Sequence, residues 1–282
     1  MADSPTQWLP PVTPEPPAQQ PQPQHEQARR RGLGGLLLAV VAIAAKGKAI
    51  LLLLPKIKLL TTSGSMLVSI GAYTLIWGWK FAVGFVVLLF IHEMGHVIQL
   101  RREGVEASAP VFIPFLGAAV WAKSLGDNAL AEARVGLAGP ILGSLASLAC
   151  LPIAAATGND LFRALAFTGF FLNLFNLLPV LPLDGGRAMA AMAPWMWLVG
   201  LGVMLGAAFA FPNPIIILIV LFALMETWRR WKQRREGSEE TQAYYRVTPR
   251  NRLLVAAVYI GLIALLALGM TETHLERDFD DA

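Results

Sequence analysis

Between residues 64 and 270 the chain alternates long apolar runs with short breaks of charge, proline or glycine. A helix that crosses a bilayer needs roughly 20 predominantly apolar residues. Seven runs approach or meet that requirement: 64–79, 81–100, 135–157, 161–181, 195–211, 213–228 and 252–270. The pattern therefore predicts an all-α polytopic membrane protein with about seven transmembrane helices. Residues 33–60 break it, because "GLGGLLLAVVAIA" is short and "AKGKAILLLLPKIKLL" sets four lysines among leucines. The stretch 29–63 reads as a basic segment lying in the interface or re-entering the membrane, and whether 33–60 spans stays open. Half of residues 1–28 are Pro or Gln, a composition with almost nothing to bury, so a disordered, solvated tail is expected there. No secretory-signal pattern accompanies it.

Composition supports the same class. Hydrophobic residues make up 55% of the 282-residue chain and charged residues only 15%, against about 25% charged in ordinary soluble domains. The single cysteine, Cys150, excludes an intrachain disulfide and an all-cysteine metal site. The formal charge of +4 reflects basic loops and implies no nucleic-acid partner. With the N-terminus inside, every Lys and Arg except Lys80, Arg163 and Arg277 lies on the cytoplasmic side, so the basic residues predict N-in, C-out. The cluster "WRRWKQRR" (Trp228–Arg235) then belongs to a cytoplasmic loop, 229–251, and reads as a headgroup-level anchor. Residues 64–190 form the predicted core, 191–272 additional helices with that loop, and 273–282 an acidic outer tail.

One helix carries chemistry that its apolar setting does not explain. "FIHEMGHVIQ" (Phe90–Gln99) places two histidines and a glutamate at the end of an apolar run, where one charged residue costs roughly 2.5–3.5 kcal/mol at the bilayer centre. His92 and His96, four residues apart, share a helix face and can direct two imidazoles at one ion. Glu93 lies beside them, placed to touch a ligand of that ion without binding it. This is the H-E-x-x-H arrangement of two zinc ligands and a general base. The plain alternative is a pair of structural histidines hydrogen-bonded inside a bundle.

A catalytic zinc needs a third protein ligand. The acidic candidates near the membrane are Glu103, Glu106, Asp127, Glu132, Asp160, Asp184 and Glu226. Asp184 is the best placed, in "NLFNLLPVLPLDGGR" at the inner end of the run 161–181. Pro179 and Pro182 break the helix there, and Gly185–Gly186 are expected to permit a sharp turn just after the aspartate. Irregular backbone at membrane depth survives only inside protein or beside water.

At "HEMGH" (His92–His96) and "NLLPVLPLDGG" (Asn176–Gly186) the chain resembles the site-2 protease family of intramembrane zinc metalloproteases, in a compact bacterial form without a PDZ or CBS insertion. "PVFIPFLGAAV" (Pro110–Val120) is similar to the apolar hairpin of that family, and "GLAGPILG" (Gly136–Gly143) to its A-G-P motif. Where many members have an Asn three residues after that Pro, this chain has Gly143, then Ser144. The resemblance covers about 80–190. It implies one Zn2+ per chain held by His92, His96 and Asp184, Glu93 as the base, and a small membrane-associated β-hairpin near the site. Gly117 of that hairpin and Asn176 would contact the substrate, with Asn173 as an alternative for Asn176.

The implied reaction is hydrolysis of a peptide bond in a membrane-protein partner's transmembrane segment, within the lipid bilayer of a bacterial inner membrane. Three other readings stay open. One is a membrane zincin using Glu226 as third ligand and cutting chains that do not span the membrane. The second is an inactive metal-binding scaffold, and the third a metal transporter. Oligomeric state and substrate are not legible in these residues.

Overall fold

The computed structural model describes residues 60–274, and the expected tail 1–28, most of the segment 29–63 and nearly all of the acidic end fall outside them. Nine helices and one two-stranded sheet are present among the described residues. The helices are α1 (60–77), α2 (Trp79–Arg102), α3 (Ala129–Thr157), α4 (Asp160–Asn176), α5 (Asp184–Met192), α6 (Met196–Ala210), α7 (Pro214–Glu236), α8 (Glu239–Tyr244) and α9 (Pro249–Thr273). Strands β1 (Val111–Ile113) and β2 (Gly117–Ala119) form an antiparallel hairpin between α2 and α3.

Each of the seven apolar runs falls on a helix, the run 161–181 only as far as Asn176, yet among the described residues only α2, α3 and α9 are long and apolar enough to cross a membrane. The others fall short for readable reasons. Ser and Thr interrupt 60–77, α4 has 17 residues with Asp160 and Arg163 at its start, α6 has 15, and α7 ends in "WRRWKQRRE". α3 begins at Ala129, earlier than the apolar run, because Asn128 caps it by accepting a hydrogen bond from the Ala131 N–H at 3.0 Å. Asn213 caps α7 in the same way at 2.8 Å, ahead of Pro214.

α3 is the central element and packs on α2, α4, α5 and α9. Small residues bring the backbones together, as expected where lipid offers no competing hydrophobic drive. A Cβ on Gly95 of α2 would stand 2.3 Å from the Ala138 carbonyl oxygen of α3. α9 reaches the segment after α4 through Tyr259, whose hydroxyl donates to the Leu177 carbonyl at 2.5 Å.

The segment 177–183 departs from helix as Pro179 and Pro182 require. Gly185 and Gly186 correct an expectation, however: they lie in the first turn of α5 and form no sharp turn. Their role is close approach. A Cβ on Gly185 would lie 2.1 Å from the Leu177 carbonyl oxygen, and one on Gly186 would lie 2.5 Å from the Val180 carbonyl. Glycine lets α5 fold back against the segment that leads into it.

The hairpin is pinned by α1. The Phe112 N–H donates to Ser65 Oγ at 3.1 Å, the Phe115 N–H to the Tyr73 hydroxyl at 3.0 Å, and the Thr62 hydroxyl to the Pro110 carbonyl at 2.8 Å. These bonds occupy the outer edge of β1. Since the Phe112 backbone N–H points away from β2 and Phe112 pairs with Ala118, the backbone groups of Ala118 point to the opposite edge of β2, which makes no backbone hydrogen bond among the described residues.

At the other end, α7 and α8 close on the start of α3. Glu132, 0% exposed, accepts two bonds from Arg230 at 2.8 and 2.6 Å and one from the Tyr244 hydroxyl at 2.6 Å. Burial works against the Arg230 charge, but Glu132 more than offsets it and raises its pKa. Burial and the same carboxylate also raise Tyr244.

Candidate metal centre

Helical spacing puts His92 and His96 on one face of α2, and the fold aims that face at the start of α5. His92 Nε2 lies 3.1 Å from Asp184 Oδ2, His96 Nε2 lies 3.2 Å from the same oxygen, and the two Nε2 atoms are 3.2 Å apart. All three side chains are buried. Among the described residues they form a group able to hold a metal ion.

The other ring nitrogens decide what these atoms can do. His92 Nδ1 lies 2.8 Å from Asn173 Oδ1, while Asn173 Nδ2 donates to the Gly169 carbonyl at 2.7 Å. Because the amide nitrogen is the donor, Oδ1 must accept, and His92 Nδ1 carries the proton. His96 Nδ1 lies 2.8 Å from the Val135 carbonyl, which can only accept, so it too is protonated. In neutral imidazole each Nε2 then presents a lone pair. Three acceptors, two imine nitrogens and a carboxylate oxygen, converge on one point. Such a cluster is repulsive by itself and favourable around a cation. Tetrahedral coordination at ~2.0–2.1 Å separates ligand atoms by roughly 3.3 Å, so the observed triangle fits a zinc-sized ion with nitrogen and oxygen donors.

α3 forms the floor of this triangle. A Cβ on Gly139 would meet His96 Nε2 at 2.2 Å and His92 Nε2 at 2.8 Å. One turn on, a Cβ on Gly143 would lie 2.3 Å from Asn173 Oδ1. The absent side chain at Gly143 thus makes room for a polar group supplied by α4. Glu93, 8% exposed, makes no hydrogen bond or ion pair among the described residues, and its carboxylate is uncommitted next to the triangle.

Asn176 ends α4, half-buried and without a side-chain hydrogen bond among the described residues, and it is Asn173 that touches a histidine. Gly117 sits at φ +93° in the hairpin, where glycine is favoured. The other acidic candidates include several with partners: Glu132 holds Arg230, Glu226 holds Arg229 and Arg230, and Glu103 bonds Gln99 and lies 3.6 Å from Arg134. Neither Gly139 nor the Val135 carbonyl stands out in the sequence. The only local signal for the first is its place in the A-G-P triplet, and a backbone carbonyl leaves none.

Removing the Asn173 contact tests its orienting role. Asn173→Ala is expected to weaken metal binding by about 10–100-fold while the ligands remain. Chelator competition on the purified variant measures this, and an unchanged affinity would remove Asn173 from the site.

Comparison with known proteins agrees with this geometry. Residues 80–167 match the model of peptidase family M50. Zinc metalloprotease MJ0392 of Methanocaldococcus jannaschii is 29% identical over 44% of this chain and 37% of its own length. Rip3 of Mycobacterium tuberculosis is 31% identical over 46% of this chain and 35% of its own length. The matched stretch is thus little more than a third of either relative. Residues 80–167, which contain the histidine helix, are thus similar to peptidase family M50, the site-2 protease family.

Proposed function

We propose that this protein is an integral-membrane zinc metalloprotease that hydrolyses peptide bonds within or next to transmembrane segments of other membrane proteins. The observation that carries the reading is the convergence of His92 Nε2, His96 Nε2 and Asp184 Oδ2, with both Nδ1 atoms already engaged. The family-model match over residues 80–167 and the zinc-metalloprotease name of one relative support it. His92, His96 and Asp184 would hold the ion, one per chain. A bound zinc would supply a Lewis acid for the scissile carbonyl and a water acidic enough to react near neutral pH. The Glu93 carboxylate would accept a proton from the attacking water and return it to the leaving amine. The reading keeps about seven spans, with the N-terminal side and the basic loops in the cytoplasm of a bacterial cell.

A substrate helix hides its carbonyls and must become extended to react. The edge of β2, unpaired among the described residues, would offer it the outward N–H and C=O of Ala118. Gly117 supports this edge by turning the chain, and Asn176 would contact the substrate backbone nearby. Ala118→Pro removes the outward donor while its strand partner in β1 keeps its own bonds. We expect cleavage of a transmembrane substrate to fall about tenfold, in line with one or two lost hydrogen bonds. A Gly117→Pro variant is a poorer probe, since proline cannot adopt φ +93°. Full activity in Ala118→Pro would discard the edge.

The direct test is metal content per chain for the detergent-purified protein beside Asp184→Ala. Near-stoichiometric zinc that is lost in the variant is the expected result. Wild-type protein that neither retains nor recovers zinc would favour the inactive-scaffold reading. The Glu226 zincin has less support, because Glu226 is committed to two arginines.

A further inference from the structure

The basic stretch at the end of α7 borders two adjoining cavities that the proteolytic site does not use. The larger, about 660 Å³, lies between α6 and α7 against Leu198, Leu201, Leu224 and Met225. The smaller, about 320 Å³, is bordered by Lys232, Arg235 and Glu236, and Trp228 and Trp231 line both. Leu224, Trp228, Trp231 and Arg235 follow one another at helical spacing, so they form a single stripe along α7.

Along that stripe the chemistry runs from aliphatic cavity through paired indoles to cations. A membrane lipid has the same order from acyl chain through glycerol to headgroup, and tryptophan favours that middle level. Thr227 also lines the larger cavity. It is 2% exposed, and its buried hydroxyl has no hydrogen-bond partner among the described residues.

The cations at the polar end are not all equivalent. Arg229 and Arg230 are held by Glu226 and Glu132, and the Arg234 guanidinium lies 4.3 Å from the Tyr245 ring centroid. Lys232 is 4.0 Å from Glu236, and both are exposed, whereas Arg235 has no ion pair among the described residues. The mouth therefore carries one net positive charge, supplied by Arg235 beyond the Lys232–Glu236 pair.

We propose that α6 and α7 form a binding site for one anionic phospholipid, its acyl chain in the larger cavity and its phosphate on Lys232 and Arg235. The site backs the segment that leads into Asp184 at the start of α5. Trp197 Nε1 of α6 donates to the Gly186 carbonyl at 2.7 Å, and a Cβ on Gly200 would meet the Pro179 carbonyl oxygen at 2.3 Å. Lipid held against α6 thus bears on the segment from Pro179 to Gly186.

The test is native mass spectrometry of the full chain, delipidated in detergent and offered equimolar phosphatidylglycerol and phosphatidylcholine. We expect one phosphatidylglycerol per chain, preferred about tenfold, with most of that preference lost in Lys232→Ala/Arg235→Ala. Leu201→Trp, which fills the cavity, should reduce retention of both lipids while helicity by circular dichroism stays at the wild-type value. Equal retention of the two lipids by the wild type would overturn the proposal, as would retention unchanged in both variants. Displacement of the lipid by millimolar inorganic phosphate would overturn it too, showing an anion site that needs no acyl chain. A dimer cross-linked through position 228 that excludes lipid would assign the groove to a second copy instead. None of these readouts depends on metal or proteolysis.

Discussion

Glu93→Gln is expected to keep its metal and lose proteolysis, by about 10²–10⁴-fold. The proposed ligands His92, His96 and Asp184 are untouched by the change, and the amide occupies nearly the volume of the carboxylate. What disappears is the capacity to accept a proton. In the wild type the Glu93 side chain makes no hydrogen bond or ion pair among the described residues, so no structural partner is orphaned by the substitution. Metal content and cleavage of a reconstituted transmembrane substrate, measured on the same preparation, decide the matter. Retained cleavage with bound metal would mean that another group is the base. Loss of both metal and activity would mean that Glu93 supports the site itself.

Gly139→Ala should be nearly as damaging, although it alters no ligand and no charged group. The added methyl would stand 2.2 Å from His96 Nε2 and 2.8 Å from His92 Nε2, at the atoms that face the ion. Either α3 moves away from α2 or the imidazoles rotate, and a misplacement of about 1 Å can cost 10²-fold in activity. We expect zinc affinity and cleavage to fall together, by about a hundredfold or more. Alanine at Gly202, where a Cβ meets nothing within 4 Å, is the control and should leave both unchanged. If Gly139→Ala binds zinc like the wild type, the floor of the site is more yielding than the close approach of α3 implies.

The comparison of chain and fold divides along the range of the forces involved. That His92 and His96 share a face was legible because helical periodicity is local: four residues apart means one face, whatever the rest of the protein does. Asp184 was nearly legible, since Pro179 and Pro182 announce irregular backbone and few acidic residues lie at that depth. The long helices were read from apolar runs and most of their starts closely, but the short α5 and α8 and the start of α3 were not. Asn128 caps α3 ahead of a stretch containing Glu132 and Arg134, and those charges hide the first turns from any hydropathy reading. The Gly185–Gly186 pair was misread as a turn because a glycine's two uses, free φ and close approach, look the same in one dimension.

By itself, the sequence determined the class of protein, the periodic apolar helices and the presence of two imidazoles and a carboxylate on one turn. These depend on composition and on contacts between near neighbours. Only the tertiary structure decided that Asn173 Oδ1 and the Val135 carbonyl accept hydrogen bonds from the two Nδ1–H groups, that Gly139 leaves space beneath the histidines, and that Glu132 belongs to Arg230. Each of those depends on how closely two helices distant in sequence approach one another. That distance is set by packing of the whole bundle, and no local pattern encodes it.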